Sequence, residues 1–221
     1  MSEKPELPLG YLGAQPKFSD LGLSALSHIE PEIRTNDNQM EIKLKCKDNL
    51  KVTHQLINCR TDEEKSEYVF TQTLHGTISF IISLPESGYY KFQIFALPAQ
   101  DDSKTLPNVY NYLINCVRAL QPAFKFPKQY AQWKDGCYLH EPLVLHKDAP
   151  LRNVFFKVII PGANAVAVVA DGEWFHLEKK GNHFEGKANL EPFKGKDTKI
   201  TLNANCGSDE SKYSTMLEYR L

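Results

Sequence analysis

Cys137 has the surroundings that come nearest to a catalytic site. It follows Gly136, and His140 and His146 lie downstream. A cysteine nucleophile requires a thiol with a lowered pKa and a base held beside it, and a helix start often supplies part of that activation. The residues around Cys137 indicate a strand and a loop instead. We therefore expect Cys137 to be structural, and we keep a cysteine-dependent transferase or peptidase that uses it as the alternative function.

Histidines and acidic residues could also hold a metal ion. Two histidine pairs are six and seven positions apart, His140 with His146 and His176 with His183. Neither spacing is the H-x-x-x-H of a helical metal site. The acidic loops 101–103 and 208–210 lack the length and the Asp/Asn/Gly pattern of a calcium loop. We predict no metal, no cofactor and no catalytic residue.

Composition restricts the classes of partner. The chain has 221 residues, 26 basic and 27 acidic, with a formal net charge of -1. Overall charge therefore favours neither nucleic acid nor an anionic membrane. The five cysteines are odd in number and show no C-x-x-C spacing, and the sequence has neither a signal-peptide pattern nor an apolar run of about 20 residues. We expect a cytoplasmic chain that binds a protein, of unknown identity and unknown oligomeric state.

Short strands are the elements that must position these residues. Apolar and charged or polar residues alternate in Met40–Cys46, Thr77–Leu84 and Thr198–Cys206, as in half-buried strands. Asp171-Gly172 is a two-residue hairpin signal between the predicted strands 165–170 and 174–179. No segment has a helical period long enough for a substantial helix. The pattern predicts an all-β protein.

A tyrosine corner indicates the kind of all-β fold. Glu86, Gly88 and Tyr90 are spaced by two, and Phe92 stands where such a corner often has cysteine. In immunoglobulin-like sandwiches the hydroxyl of this tyrosine bonds to the backbone where the chain crosses between sheets. We assign structural roles to Gly88, Tyr90 and Phe92.

The same strand plan occurs twice along the chain. We predict two tandem immunoglobulin-like antiparallel β-sandwiches, with an N-terminal arm at residues 1–28. The first sandwich spans 29–120 and the second spans 121–221. The linker 121–130 contains prolines and aromatics without Gly or Ser, so it should be stiff.

Trp174 and Phe175 are neighbours in a predicted strand, so their side chains point to opposite faces. One should join the core, and the other should be exposed or cover the domain junction. We assign the structural role to Trp174 and a role in partner binding to Phe175.

Six motifs occur in this order along the chain: Tyr11–Phe18, Tyr89–Ala96, Leu106–Ile114, Trp133–Cys137, Val166–Val169 and Gly172–Trp174. Together they resemble motifs of the kyphoscoliosis peptidase and hillarin family. The resemblance covers nearly the whole chain, and it implies the family's immunoglobulin-like modules, which serve interaction and scaffolding and are linked with the cytoskeleton. The Cys-His-Asp core that larger members carry upstream has no counterpart here. An accessory subunit of a separate transglutaminase-like chain is therefore a further alternative, and Trp133 is assigned a structural role.

Overall fold

A computed structural model describes residues 3–134 and 136–221, which form two compact units. The first unit ends at Lys125 and the second is Phe126–Leu221. Asp135, which belongs to the motif Trp133–Cys137, and the first two residues of the predicted arm lie outside the described residues. In the described ranges, no helix has both the length and the apolar character needed to cross a membrane.

The first unit is a sandwich of two β-sheets. One sheet has the order β5-β8-β9, and both β1 and β3 pair with the other side of β9; the second sheet has the order β2-β4-β7-β6. All of these pairings are antiparallel except β3 with β9. The elements are β1 (Gly13–Ala14), α1 (Pro16–Asp20), β2 (Ser24–Ala25), β3 (Glu32–Thr35), β4 (Gln39–Lys45), β5 (Leu50–Asn58), β6 (Val69–Leu74), β7 (Thr77–Ser83), β8 (Gly88–Pro98) and β9 (Asn108–Cys116).

Alternating residues build the core between these two sheets. On β8, Tyr90, Phe92 and Ile94 are fully buried, while the residues between them are partly exposed. The rings of Phe92 and Phe80, which come from opposite sheets, pack edge to face with their centroids 5.4 Å apart. Period-two burial is what a sandwich strand with one inward face requires.

Much of the predicted arm is part of this sandwich. Gly13–Ala14 adds to the sheet as β1, and Phe18 and Leu23 are buried in the core. Leu26, in contrast, is 53% exposed. The apolar residues here follow no period, because they enter the core from separate turns rather than from one regular element.

The second unit is also a sandwich of two sheets, all of whose pairings are antiparallel. The sheets have the orders β10-β18-β17-β13-β14 and β11-β12-β16-β15. The two residues of β10 lie within the predicted linker and pair with β18. The strands are β10 (Lys128–Gln129), β11 (Tyr138–Glu141), β12 (Val154–Ile159), β13 (Ala165–Ala170), β14 (Glu173–His176), β15 (Glu178–Lys180), β16 (His183–Ala188), β17 (Lys199–Asn205) and β18 (Ser214–Arg220).

The strand predicted at 174–179 is divided at Leu177. Residues before Leu177 form β14 in one sheet, and residues after it form β15 in the other. Leu177 is buried at this crossover and lies against Gly186, where an added Cβ would come within 3.0 Å of Leu177 Cδ2. A side chain at position 186 would therefore crowd Leu177, and glycine leaves room for the crossover.

Candidate functional site

The candidate nucleophile and its histidines lie in different environments. Cys137 is buried, with 5% of its surface exposed, whereas His140 is exposed on β11 and packs its ring against Tyr138. Partial burial and the nearby Lys157 lower the pKa of His140. His146 is partly buried in the loop after β11. The thiol therefore has little access to a substrate from solvent.

The histidines of the metal hypothesis are also dispersed. Within residues 3–134 and 136–221, no group of three or more His, Cys, Asp and Glu side chains is arranged to hold a metal ion. His183 and Lys180 both bind Glu185, at 3.1 and 2.8 Å, and these contacts hold the pKa of that carboxyl below its usual range. His176 belongs to the other sheet.

Tyr90 forms the local geometry expected of a tyrosine corner. Its hydroxyl donates to the Glu86 carbonyl oxygen at 2.8 Å and accepts from the Glu86 N–H at 3.1 Å. Gly88 has a φ of 132°, which a residue with a Cβ rarely adopts. The hydroxyl therefore joins the turn before β8 to the strand itself.

The placement of Trp174 and Phe175 is the reverse of the assignment made from sequence. Trp174 is 47% exposed, whereas Phe175 is partly buried. The register explains this: Phe175 lies opposite Val168, which is fully buried, whereas Trp174 lies opposite the partly exposed Val169. Alternation predicts that the two side chains face opposite ways, but it does not tell which one faces inward. Trp133, the other tryptophan, is partly exposed, and its backbone N–H donates to the Tyr130 carbonyl oxygen at 2.9 Å.

Strand β14 is the edge of its sheet, with β13 on one side and no described strand on the other. The Leu177 N–H donates to the Val166 carbonyl at 2.9 Å, so Leu177 faces β13 with its backbone groups. In an antiparallel ladder the residues that face the partner strand alternate. Phe175 must therefore also face β13, and the N–H and C=O groups of Trp174 and His176 point to the open edge.

Three aromatic side chains form a patch on one face of this edge strand. It consists of Trp174, His176 and Tyr213, and we call it the β14 patch. The Trp174 and His176 rings stack at a centroid distance of 5.8 Å and an angle of 23°. Tyr213 meets the indole edge-on at 4.9 Å and 73°. The sequence analysis did not assign His176 or Tyr213 to a binding surface. The i, i+2 spacing of Trp174 and His176 was the only available signal, since Tyr213 comes from a distant loop.

In the first unit, parts of the edges of the β5-β8-β9 sheet are covered by its own chain. The outer side of β9 is occupied by β1 and β3. On the edge strand β5, the Leu56 N–H binds the Ser66 hydroxyl at 3.1 Å and the Asn58 N–H binds the Glu63 carbonyl at 2.9 Å. Residues 3–6 line one pocket together with Cys59, Arg60 and Tyr89 at the end of this sheet.

His54, on β5, is held between two hydrogen-bond partners. Nδ1 lies 2.6 Å from the Thr71 hydroxyl, and Nε2 lies 3.1 Å from the Ser66 carbonyl oxygen. Because a carbonyl only accepts, Nε2 carries the proton and Nδ1 accepts from Thr71. Burial lowers the pKa of His54. The side chain is thus a structural link between β5, β6 and the turn that joins them.

Comparisons with known proteins agree with this architecture. The model of the KY-like, immunoglobulin-like domain family matches residues 5–127. The kyphoscoliosis peptidases of Mus musculus and Homo sapiens are each 26% identical over 210 residues, which are 92% of this chain and 31% of each relative. The chain therefore spans about a third of the length of the curated relatives that it matches.

Solved structures of titin domain tandems are also similar. A chimeric titin Z1Z2 that carries a KLER peptide from decorin is 11% identical, covers 90% of this chain and 95% of its own, and has a TM-score of 0.27. The titin domains Z1Z2 in complex with telethonin are 12% identical, with coverages of 90% and 94% and a TM-score of 0.24.

The match of the family model to more than half of the sequence is decisive: the chain belongs to the family of the KY-like, immunoglobulin-like domain.

Proposed function

We propose that this chain is a non-catalytic protein-interaction module that takes up an extended segment of a partner as an additional strand beside β14. The observation that carries the proposal is the open edge of β14 with the exposed indole of Trp174 beside it. An added strand would pair with the outward N–H and C=O groups of Trp174 and His176. Such backbone pairing supplies affinity, and side chains placed on alternate positions supply specificity.

The β14 patch has the features of an interaction centre. Trp and Tyr are enriched among the residues that dominate binding energies, because they bury a large area with few rotatable bonds. Stacking against His176 and Tyr213 already restricts the Trp174 ring, so little side-chain freedom remains to be lost on binding. In the first unit, by contrast, segments of its own chain occupy much of the edges of the β5-β8-β9 sheet.

The non-catalytic part of the proposal is supported by the burial of Cys137 and by the exposed position of His140. The relatives are named as peptidases, but the chain spans about a third of their length, so their activity is not transferred to it. The family resemblance supports a cytoskeleton-associated role as part of this proposal, and the free thiols Cys59, Cys116 and Cys206 support a reducing, cytoplasmic compartment. A role as accessory subunit to a separate catalytic chain is a narrower form of the same proposal.

Two substitutions on β14 test strand addition. His176→Pro removes an N–H that points to the open edge, so it blocks a new strand without breaking a bond to β13. Trp174→Ala removes the indole from the β14 patch. Both variants should keep dispersed amide spectra and lose the proteins that the wild-type chain captures from native tissue, as identified by peptide sequencing.

The control is Glu178→Gln, a neutralising change on the exposed strand β15 of the other sheet. This variant should capture the same proteins as the wild type. Equal capture by the wild type, His176→Pro and Trp174→Ala would show that β14 is not the interaction site.

A further inference from the structure

Acidic residues occur in both chain segments that lead to the β14 patch. Asp171 is exposed at the hairpin before β14; Glu173 is also exposed, but it shares the strand face of Phe175 and not that of the patch. Asp209 and Glu210 are exposed in the loop that leads to Tyr213. The Ser211 N–H and hydroxyl donate to Asp209 Oδ1 at 3.0 and 2.6 Å, and these bonds hold the pKa of that carboxyl below its usual range. The flanks of the patch are therefore predominantly negative.

The nearby lysines offset only part of this charge. Lys212 precedes Tyr213, but its side chain is 83% exposed and its Nζ lies 4.0 Å from Asp209. Lys179 and Lys180 follow the crossover into the other sheet, where Lys179 lies over the Phe184 ring and Lys180 binds Glu185. The carboxylates of Asp171, Asp209 and Glu210 thus outnumber the ammonium group of Lys212 in these two segments.

The aromatic rings offer a second attraction for positive charge. A Lys or Arg side chain over an indole face gains cation–π energy, and Trp is the best of the aromatic partners. Side chains of an added strand fall on one face at every second position. Residues two apart on such a strand would therefore come beside Trp174 and His176 and between the two acidic flanks.

We infer that the segment taken up at β14 is basic: an extended peptide with Lys or Arg at alternate positions. This inference rests on the proposed function and names the partner class for the same surface. Negative flanks and an exposed indole complement such a segment in charge and in geometry, whereas an acidic segment would meet like charges at both ends.

A display library of random peptides tests the charge of the preferred ligand. We expect wild-type protein to enrich basic sequences with an alternating pattern, and Trp174→Ala to abolish that enrichment. Neutral or acidic sequences whose enrichment still depends on Trp174 would overturn this inference and leave strand addition standing. A lack of any Trp174-dependent enrichment would overturn the inference together with the proposed function.

Charge variants then test the flanks with one enriched peptide. Asp171→Asn and Glu210→Gln should each weaken binding about two- to fivefold, the range of a single exposed ion pair. Lys212→Gln should strengthen binding, because it removes the ammonium group beside Asp209. Glu178→Gln serves as the matched neutralisation on the other sheet and should have no effect. Equal affinities for all four variants, or affinities that do not fall when salt is raised from about 0.1 to 0.5 M, would contradict the inference.

Discussion

Replacing Tyr90 by Phe removes one hydroxyl and keeps the ring in the core. That hydroxyl makes two hydrogen bonds, both to the backbone of Glu86. Each such bond contributes about 0.5–1.5 kcal/mol net. Water can reach Glu86, whose side chain is 45% exposed, and it will satisfy part of what is lost. We therefore expect the first unit to lose about 1–2 kcal/mol, which lowers its Tm by roughly 3–8 °C.

The assay follows from the positions of the two tryptophans. Trp133 and Trp174 both belong to the second unit, so tryptophan emission reports on that unit alone. Urea unfolding of the full chain is followed by near-ultraviolet circular dichroism of tyrosine, and tryptophan emission is recorded in parallel. Tyr90→Phe should shift the tyrosine-detected midpoint more than the tryptophan-detected one.

Tyr89→Phe is the matched control. Tyr89 lies on the same strand but faces outward, and its hydroxyl accepts a single bond from Asn115 at 3.3 Å. Its loss should cost less than about 0.5 kcal/mol, as for most surface changes. If Tyr90→Phe leaves the midpoint unchanged, or shifts it no more than Tyr89→Phe does, the hydroxyl does not anchor the corner.

Three further predictions concern other parts of the chain. Burial lowers the folded-state pKa of His54, so the contribution of this side chain to stability is intact above the ordinary pKa of 6.5 and is lost as the pH falls through the lower folded-state pKa. The urea midpoints measured at pH 5 and at pH 7.5 should therefore differ less in His54→Gln than in wild type. An equal difference in the two proteins would refute this prediction. Gly186→Ala should destabilise the second unit by about 1–3 kcal/mol because its Cβ meets Leu177, as measured by tryptophan-detected unfolding; a neutral result would mean that the crossover can relax. Iodoacetamide near neutral pH should alkylate the exposed Cys206 rapidly and the buried Cys137 slowly, as mapped by peptide mass; rapid, selective alkylation of Cys137 would revive the cysteine-enzyme alternative.

Alternation in the sequence was sufficient to predict most of the strands and the all-β class. Met40–Cys46 and Thr198–Cys206 were placed within a residue or two of β4 and β17 because each has one strictly apolar face. Strands β1 and β3 were missed, because β1 has two residues and β3 buries only Ile33. Such short pairings depend on a partner strand elsewhere in the chain, which no local pattern reveals.

The candidate site was predictable only in part. The adjacent aromatics at 174 and 175 drew attention to the correct strand, but their faces were assigned the wrong way round. Which face is inward depends on the register with β13, and the register is set by pairing across the sheet. Tyr213 joins the β14 patch from a loop 39 positions along the chain, so only the folded structure brings it there.

The two partners of β9 would respond differently to mechanical tension. A pull on the chain before β1 and after β9 acts at the same end of their antiparallel ladder, so those hydrogen bonds would open one after another. The same pull acts at opposite ends of the parallel ladder between β3 and β9, so its bonds would share the load. Strand β1 would therefore peel away at low force, and the four-residue β3 would act as the clamp that keeps the sandwich closed under stretch.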